Sequence, residues 1–294
     1  MSQTNRPLAA ALWMGGSIAG FSLVAISGRA LAHDLDTFEV MFYRSLVGVL
    51  VVISAASLSG RLPEISTRFF GTHIFRNCIH FAGQNLWLMA LGMIPLAQLF
   101  ALEFSSPIIV ALAAPLVLSE RLTPTRLAAV CIGFVGILIV ARPFGAGGLS
   151  VGIVTALLSA VGFAGSALVT KRLTRVVSVT CILFWLVVMQ SILGFVCAGF
   201  DGHIAIPKLH MLPWILAIGL SGLGAHLGLT KALSLAPATL VVPVDFLRLP
   251  IISVVGMAFY QEPLDVWVFA GGAIILFANW INLRRDNVGR KVAV

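Results

Sequence analysis

The sequence predicts an all-α integral membrane protein of ten transmembrane helices, arranged as two inverted five-helix repeats. The chain of 294 residues is 59% hydrophobic and only 10% charged, with a mean hydropathy of +1.04. A soluble domain carries roughly 25% charged residues, so this composition indicates a lipid environment. The two halves of the chain also align without a gap at an offset of 142 residues, the distance from Gly20 to Gly162. Basic residues, finally, concentrate at alternate connections between the apolar segments.

Apolar segments of about 20 residues, the length that crosses the hydrocarbon core of a bilayer, predict the ten helices. In the first repeat, residues 8–141, they cover roughly residues 8–28, 37–58, 71–93, 95–118 and 124–141. In the second repeat, residues 150–283, they cover roughly residues 150–170, 179–199, 213–234, 237–260 and 264–283. These runs are continuously apolar, whereas the strands of an outer-membrane barrel alternate apolar and polar residues.

The first apolar segment is interpreted as a spanning helix that is retained. Its apolar run is about 20 residues long, whereas the apolar core of a signal peptide has roughly 7–15 residues. Its counterpart in the second repeat, around Gly162, is internal to the chain.

The repeat itself indicates a class of function. Equivalent positions carry the same or similar residues along the whole chain, including the pairs Ala25 and Ala167, Pro95 and Pro237, Glu103 and Asp245, and Glu120 and Glu262. Because each half holds an odd number of spans, the second half enters the bilayer in the opposite orientation. Inverted repeats of this kind are typical of secondary transporters, whose substrate site lies near the midplane between the repeats.

The basic residues predict the orientation of the chain. Positively charged residues favour cytoplasmic connections, and an N-terminus in the cytoplasm leaves only Arg29, Arg142 and Lys208 outside. Both termini are then cytoplasmic, and the net charge of +8 reflects topology rather than nucleic-acid binding. The cytoplasmic side receives the other basic residues near helix ends, Arg6, Arg61, Arg68, Arg121, Arg126, Lys171, Arg172, Arg175, Lys231, Arg284, Arg285, Arg290 and Lys291.

Ionisable residues inside the apolar segments are candidates for the substrate or proton site, because a charge in the membrane interior is costly. Glu103 and Asp245 are repeat equivalents, so we expect them to face each other across the pseudo-twofold axis. Arg248 is the deepest basic residue and lies three positions from Asp245, on the same helix face. Two interpretations stay open for this pair: a self-neutralised structural contact, or an arginine that meets an anionic group of the substrate. Glu103 has no basic residue within a turn and is the candidate for proton coupling.

Polar residues of the third and eighth segments are further candidates. Gln84 and His226 are repeat equivalents, and Asn85 is adjacent to Gln84. Either they line a cavity or they satisfy hydrogen bonds in the core. Arg76 and Arg44 lie within roughly 10 Å of a helix end, so each either contacts substrate or extends to the interface as an anchor.

Two further motifs have mainly structural interpretations. Glu120 and Glu262 follow apolar segments and precede the next ones, where an acid stabilises a helix N-terminus. Glycines four apart, Gly16 with Gly20 and Gly224 with Gly228, allow close helix packing.

Several stretches resemble the drug/metabolite transporter superfamily, in its ten-helix form with two EamA-like domains. The resemblance rests on Phe42-Tyr43-Arg44-Ser45-Leu46, on residues 91–97, and on Ser119-Glu120-Arg121-Leu122 followed by the glycine-containing segment 133–140. It covers essentially the whole chain. It implies a bacterial inner-membrane secondary transporter with a central cavity lined by both repeats. The Phe-x-Arg start of the second helix, with Arg76, resembles the branch that carries riboflavin, S-adenosylmethionine and carboxylates.

The predicted function is therefore transport of a small polar or amphipathic metabolite (an amino acid, a carboxylate or a vitamin-like compound) by alternating access, with protons as a candidate coupling ion. A passive channel-like facilitator is the alternative, and an intramembrane enzyme is disfavoured because no motif for one is present. No cofactor or metal is predicted, since no His/Cys pair has metal-ligand spacing. The expected partners are the lipid bilayer and the substrate, with no nucleic acid, and the protein is a monomer or a homodimer.

Overall fold

The computed structural model describes residues 7–118, 124–142, 148–235, 241, 244–245 and 247–292. Over these residues the protein is all-helical and contains no strand. Six stretches are long and apolar enough to cross a membrane, and three shorter apolar helices accompany them. The predicted all-helical membrane fold is therefore confirmed. Glu120, Arg121 and Pro237 lie outside the described residues.

The described residues of the first half form six α-helices, two of which fall within one predicted span, and one short 3-10 helix, Leu62–Glu64. Asp36 starts the second helix with a capping box, because its carboxylate accepts from the backbone N–H of Glu39 and the Glu39 side chain accepts from that of Asp36. The helices are α1 (Pro7–Leu31), α2 (Thr37–Leu58), α3 (Phe70–Leu91), α4 (Leu96–Glu103), α5 (Ser106–Leu118) and α6 (Pro124–Ala141).

The second half follows the same order. Ser150 and Ser178 cap the first two of its helices by accepting backbone N–H bonds from Ile153 and Cys181. The described helices are α7 (Val151–Leu173), α8 (Val179–Ala198), α9 (Leu212–Leu235), α10 (Arg248–Tyr260) and α11 (Val266–Val292).

The fourth predicted span is wrong in one respect, because it is not continuous. A turn at Phe104 and Ser105 separates α4 from α5. Pro107, in the first turn of α5, has no N–H to continue the ladder of the preceding helix. In the second half a turn at Leu247 precedes α10, and Pro250 lies in its first turn. The two interruptions fall at equivalent positions of the repeat.

Helix packing follows the same symmetry. α1 packs along α9 and α3 packs along α7, which are equivalent pairs under the 142-residue offset. α2 packs on α8 and α6 packs on α11, and each of these pairs is its own equivalent. α4 packs on α10, which is the equivalent of α5. Every major helix contact therefore joins one half of the chain to the other.

Glycine permits the two equivalent close crossings. A Cβ atom built on Gly20 would lie 2.9 Å from the Cβ atom of Ala225, and one on Gly162 would lie 2.8 Å from the Cα atom of Gly83. The spaced glycine motifs contribute only in part, since a Cβ atom on Gly16 or Gly224 would meet nothing within 4 Å. Helix contact thus uses one glycine of each motif.

Candidate functional site

The two carboxylates that the repeat makes equivalent meet on one guanidinium group. Nη2 of Arg248 lies 3.4 Å from Oε1 of Glu103 and 3.4 Å from Oδ2 of Asp245. The Arg248 side chain is 6% exposed and each carboxylate side chain is 18% exposed. Nε1 of Trp87 donates a hydrogen bond to Oε2 of Glu103 at 2.8 Å. We call Glu103, Asp245 and Arg248 the central ion cluster.

The two helix interruptions position this cluster. Glu103 is the last residue of α4, and Arg248 is the first residue of α10. The carbonyl oxygen of Phe104, released by the interruption, accepts a hydrogen bond of 2.8 Å from the buried Asn279 side chain of α11. Discontinuous helices of this kind place charged side chains and free backbone groups at the repeat interface.

Aromatic rings enclose the guanidinium group. The Cζ atom of Arg248 lies 4.8 Å from the ring centroid of Phe21, 4.9 Å from that of Phe104 and 5.1 Å from that of Phe100. A cation over an aromatic face is stabilised by the ring quadrupole. Arg248 is therefore held by two acids and three rings, which leaves it less free to meet a substrate anion than its sequence position indicates. Glu103 likewise has a basic partner that sequence spacing did not reveal.

The predicted polar residues of α3 and α9 lie at different depths of burial. His226 retains accessible surface, and its ring packs edge-on against Phe21 with centroids 5.3 Å apart. Nδ2 of Asn85 donates to the carbonyl oxygen of Phe81, while Oδ1 of Asn85 and Oε1 of Gln84 are buried without a hydrogen-bond partner. Unpaired buried polar atoms are costly, so α3 presents free hydrogen-bonding capacity to the interior.

Arg76 does not extend to the interface as an anchor. It is 8% exposed, its Nε donates to Oγ1 of Thr170 at 3.0 Å, and its Nη1 donates to Oδ1 of Asn77 at 2.7 Å. Arg44 is also directed inward, because a Cβ atom on Gly222 would lie 3.5 Å from its Nη2 atom. Gly222 is ten residues into α9, or roughly 15 Å from the start of that helix.

At one end of the bundle a polar network joins the two halves of the chain. This end, which we call the Arg29 end, carries the described parts of five connections, residues 32–36, 92–95, 142 with 148–150, 199–211 and 261–265. Arg29 forms an ion pair with Glu262 and donates to the carbonyl oxygens of Leu91 and Ile94. Oε2 of Glu262 accepts from the backbone N–H of Leu96 at 2.8 Å. Glu262 thus caps α4 of the other half, whereas its sequence position indicated the helix that follows it.

The site differs from the cavity of about 800 Å³ between α3, α5 and α7. That cavity is lined mainly by apolar residues such as Phe75, Ile79 and Ala113, and by none of the seven predicted site residues.

Sequence reasoning missed several contributors to the site. Trp87, Phe100 and Asn279 contact the central ion cluster or its helix interruption, and nothing in their spacing indicates this. The prolines at 107 and 250 were a usable signal, because proline in the first turn of a helix often marks its start. His80 was also recognisable as a polar residue inside an apolar segment.

The apolar helices define a multi-pass membrane protein, and comparison with known proteins places it in a family. The profile of the EamA-like transporter family matches residues 8–142 and again residues 150–284. The chain therefore belongs to the EamA-like transporter family of the drug/metabolite transporter superfamily. This confirms the resemblance that the sequence motifs indicated.

Relatives match over nearly the full chain. A riboflavin transporter of Rhizobium johnstonii is 29% identical over 97% of this chain and 94% of its own length. An S-adenosylmethionine uptake transporter of Rickettsia bellii is 25% identical over 90% of this chain and 89% of its own. A pseudopaline exporter of Pseudomonas aeruginosa is 26% identical over 88% and 90%.

A crystal structure with 18% sequence identity superposes with a TM-score of 0.64, covering 94% of this chain and 98% of the other. It shows the same fold. The family and the named relatives are transporters of small molecules and not enzymes.

Proposed function

We propose that the protein is a secondary transporter that moves a small polar or amphipathic metabolite across the bacterial inner membrane by alternating access. The observation that carries this proposal is the central ion cluster, in which equivalent carboxylates of the two repeats share one arginine at two helix interruptions. The relatives are named for riboflavin, S-adenosylmethionine and pseudopaline at similar identity. Their names support a metabolite substrate without selecting one.

Ten spans in two inverted halves, with both termini in the cytoplasm, are part of this proposal. The equivalent crossings of α1 with α9 and of α3 with α7 support the inverted repeat. The Arg29 end then faces the outside, as the positive-inside rule requires. In this orientation the polar network around Arg29 and Glu262 closes the outer side of the transporter.

This closed outer end favours a gated carrier over a passive channel. A channel requires a path that is continuous between the two sides, whereas the Arg29 network joins α1, the end of α3, the start of α4 and the loop after α10. Breaking one ion pair and several backbone contacts releases that closure. We place the outer gate of the transport cycle at this network.

The central ion cluster is also the coupling site of the proposed cycle. Within the cluster itself, two ionised carboxylates that share one guanidinium group leave one negative charge in excess. A proton bound by Glu103 removes that excess, while Asp245 keeps its pairing with Arg248. Proton binding therefore changes the charge of the cluster without breaking it, which suits a carrier that cycles between proton-loaded and proton-free states.

Proteoliposomes with an imposed pH gradient test this function, with riboflavin and S-adenosylmethionine as labelled probes and a pH-sensitive dye inside. We expect gradient-driven accumulation of at least one probe above its equilibrium level, accompanied by proton movement. Glu103→Gln should retain probe exchange at equilibrium but lose accumulation. Arg61→Gln, an exposed residue, serves as the control. Probe flux that only dissipates its own gradient in the wild-type protein would establish the passive facilitator instead.

A further inference from the structure

Among the side chains that the structure describes, two arginines inside the apolar helices have no carboxylate partner. Among the residues whose side chains the structure describes, Arg29, Arg61, Arg142 and Arg248 all pair with an acid. Arg44 and Arg76 do not, and the hydrogen bonds of Arg76 go to the neutral groups of Thr170 and Asn77. Nη1 of Arg44 has only the sulfur of Met41 as a partner, at 3.9 Å. Arg76 is buried and Arg44 is half-buried. A cation inside an apolar span without a counter-charge is costly, so the positions of Arg44 and Arg76 call for an explanation.

The two guanidinium groups lie on neighbouring helices and both extend to the second half of the chain, Arg44 from α2 toward α9 and Arg76 from α3 toward α7. Arg44 reaches from α2 to Gly222 of α9, one turn before His226. Arg76 lies one turn before His80 on α3, so each arginine lies close to a histidine of a helix that lines the region between these helices. Nδ1 of His80 lies 3.1 Å from Oγ of Ser166, and His226 keeps solvent-accessible surface. The region is therefore polar, basic and open to a ligand.

The region lies beside the central ion cluster but is distinct from it. The ring of Phe21 contacts both the His226 ring and the guanidinium group of Arg248, so the two groups of residues are next to each other. Arg248 already has two carboxylates, whereas Arg44 and Arg76 have none. Together these three arginines and two acids leave one positive charge in excess when all are ionised, and a single anionic group would balance it.

We propose that Arg44 and Arg76 form an anion subsite that holds a carboxylate or phosphate group of the transported metabolite, with His80 and His226 as hydrogen-bonding neighbours. This inference rests on the proposed transport function and narrows its substrate class to organic anions or zwitterions. A guanidinium group matches the geometry of carboxylate and phosphate oxygens. The anion is recognised here rather than at Arg248, whose charge is already compensated.

A ligand-free measurement tests the uncompensated charge. In nanodiscs, Arg44→Gln should leave the melting temperature of the empty protein unchanged or raise it, because residues kept for binding are often costly to stability. Arg29→Gln, which removes the partner of Glu262, should lower it by several degrees. An Arg44→Gln variant that melts as early as Arg29→Gln would show that Arg44 is structural and would overturn the subsite.

A binding measurement tests the ligand chemistry with matched pairs of an acid and its neutral counterpart. The probes are nicotinate and nicotinamide, glutarate and glutaramide, and riboflavin 5′-phosphate and riboflavin. In the wild-type protein and in Arg61→Gln, at least one acid should bind about tenfold more tightly than its neutral form. This ratio is the affinity that one good charged contact contributes. In Arg44→Gln and Arg76→Gln that ratio should fall to near one.

The outcomes separate the two proposals. If no acid is preferred, or if both variants keep the preference, the anion subsite is overturned, whatever the transport assay shows. If the preference depends on both arginines but no probe accumulates with a pH gradient, the subsite stands and gradient-driven transport does not.

Discussion

At the scale of single residues, the members of the central ion cluster have unequal numbers of ion-pair partners. Arg248 serves two acids, so removing it leaves Glu103 and Asp245 in a buried region without a counter-charge. Removing Asp245 alone leaves Arg248 paired with Glu103. The loss of stability on substitution therefore depends on how many ion-pair partners a residue has. The sequence spacing of Asp245 and Arg248 does not show that number.

We therefore expect Arg248→Gln to destabilise the protein by about 3–5 kcal/mol, the usual effect of breaking a buried ion pair, and Asp245→Asn by distinctly less. Combining Asp245→Asn with Arg248→Gln should recover part of the stability, because only Glu103 then lacks a cation. Thermal unfolding in nanodiscs measures these differences. Equal melting temperatures for the two single variants would contradict the shared-arginine arrangement.

At the scale of helices, the contacts between repeats depend on a few close approaches of the backbone. Gly20 of α1 lies against Ala225 and Ser221 of α9, while Gly16, one turn earlier on the same helix, meets nothing within 4 Å. Substitution at the two glycines thus compares a contact position with a free one on a single helix.

Gly20→Val should destabilise the protein by about 1–3 kcal/mol, because the added atoms must displace α9. Gly16→Val should change the free energy of unfolding by less than about 1 kcal/mol, since only the helix propensities of glycine and valine differ at this free position. Gly162→Val should behave like Gly20→Val, because it faces Gly83 in the equivalent crossing. The check is denaturant-free thermal unfolding of all three variants. A Gly16→Val variant as unstable as Gly20→Val would indicate that the whole motif packs.

At the scale of the whole molecule, the proposed transport cycle depends on closure of the Arg29 end and on the orientation of the chain in the membrane. The Arg29 network joins the two halves at one end of the bundle, and its pairing uses Arg29 and Glu262, whose sequence equivalents are Lys171 and Glu120. Glu120 lies outside the described residues. Opening the Arg29 end is expected to expose the central ion cluster to the outside of the cell.

Weakening this network should shift the population of states toward an open outer end. Glu262→Gln removes the ion pair but keeps a side-chain oxygen for the N–H of Leu96. A cysteine at Ser22, which is buried beside Phe21 on α1, should then react faster with an impermeant thiol reagent added outside. His210→Ala, which alters an exposed contact at the same end, is the control. Unchanged labelling in Glu262→Gln would place the outer gate elsewhere.

Topology is tested by labelling the connections directly. Cysteines at His33 and His203 should react with an impermeant reagent in intact cells, whereas cysteines at Arg68 and Arg175 should react only after permeabilisation. His33 is preferable to Asp36, because Asp36 caps α2 and its loss costs about 1 kcal/mol. Labelling of position 175 from outside would contradict the inverted arrangement.

The sequence by itself determined the membrane class, the repeat, the family and the positions of most helices. Each of these depends on properties read along the chain, such as apolar length, charge at the connections and the recurrence of residues at one offset. Polar residues inside apolar segments also identified Glu103, Asp245, Arg248 and Arg76 as candidates, because their cost in lipid is independent of their partners.

Only the tertiary structure decided which of these residues meet. Arg248 bridges two acids that are 142 residues apart, Glu262 caps a helix of the other half, and Arg44 turns inward toward α9. The helix interruption at Phe104 is held by Asn279 from the last helix. These pairings depend on distances between helices in space. Hydropathy and residue spacing do not indicate which side chains face each other across the bundle.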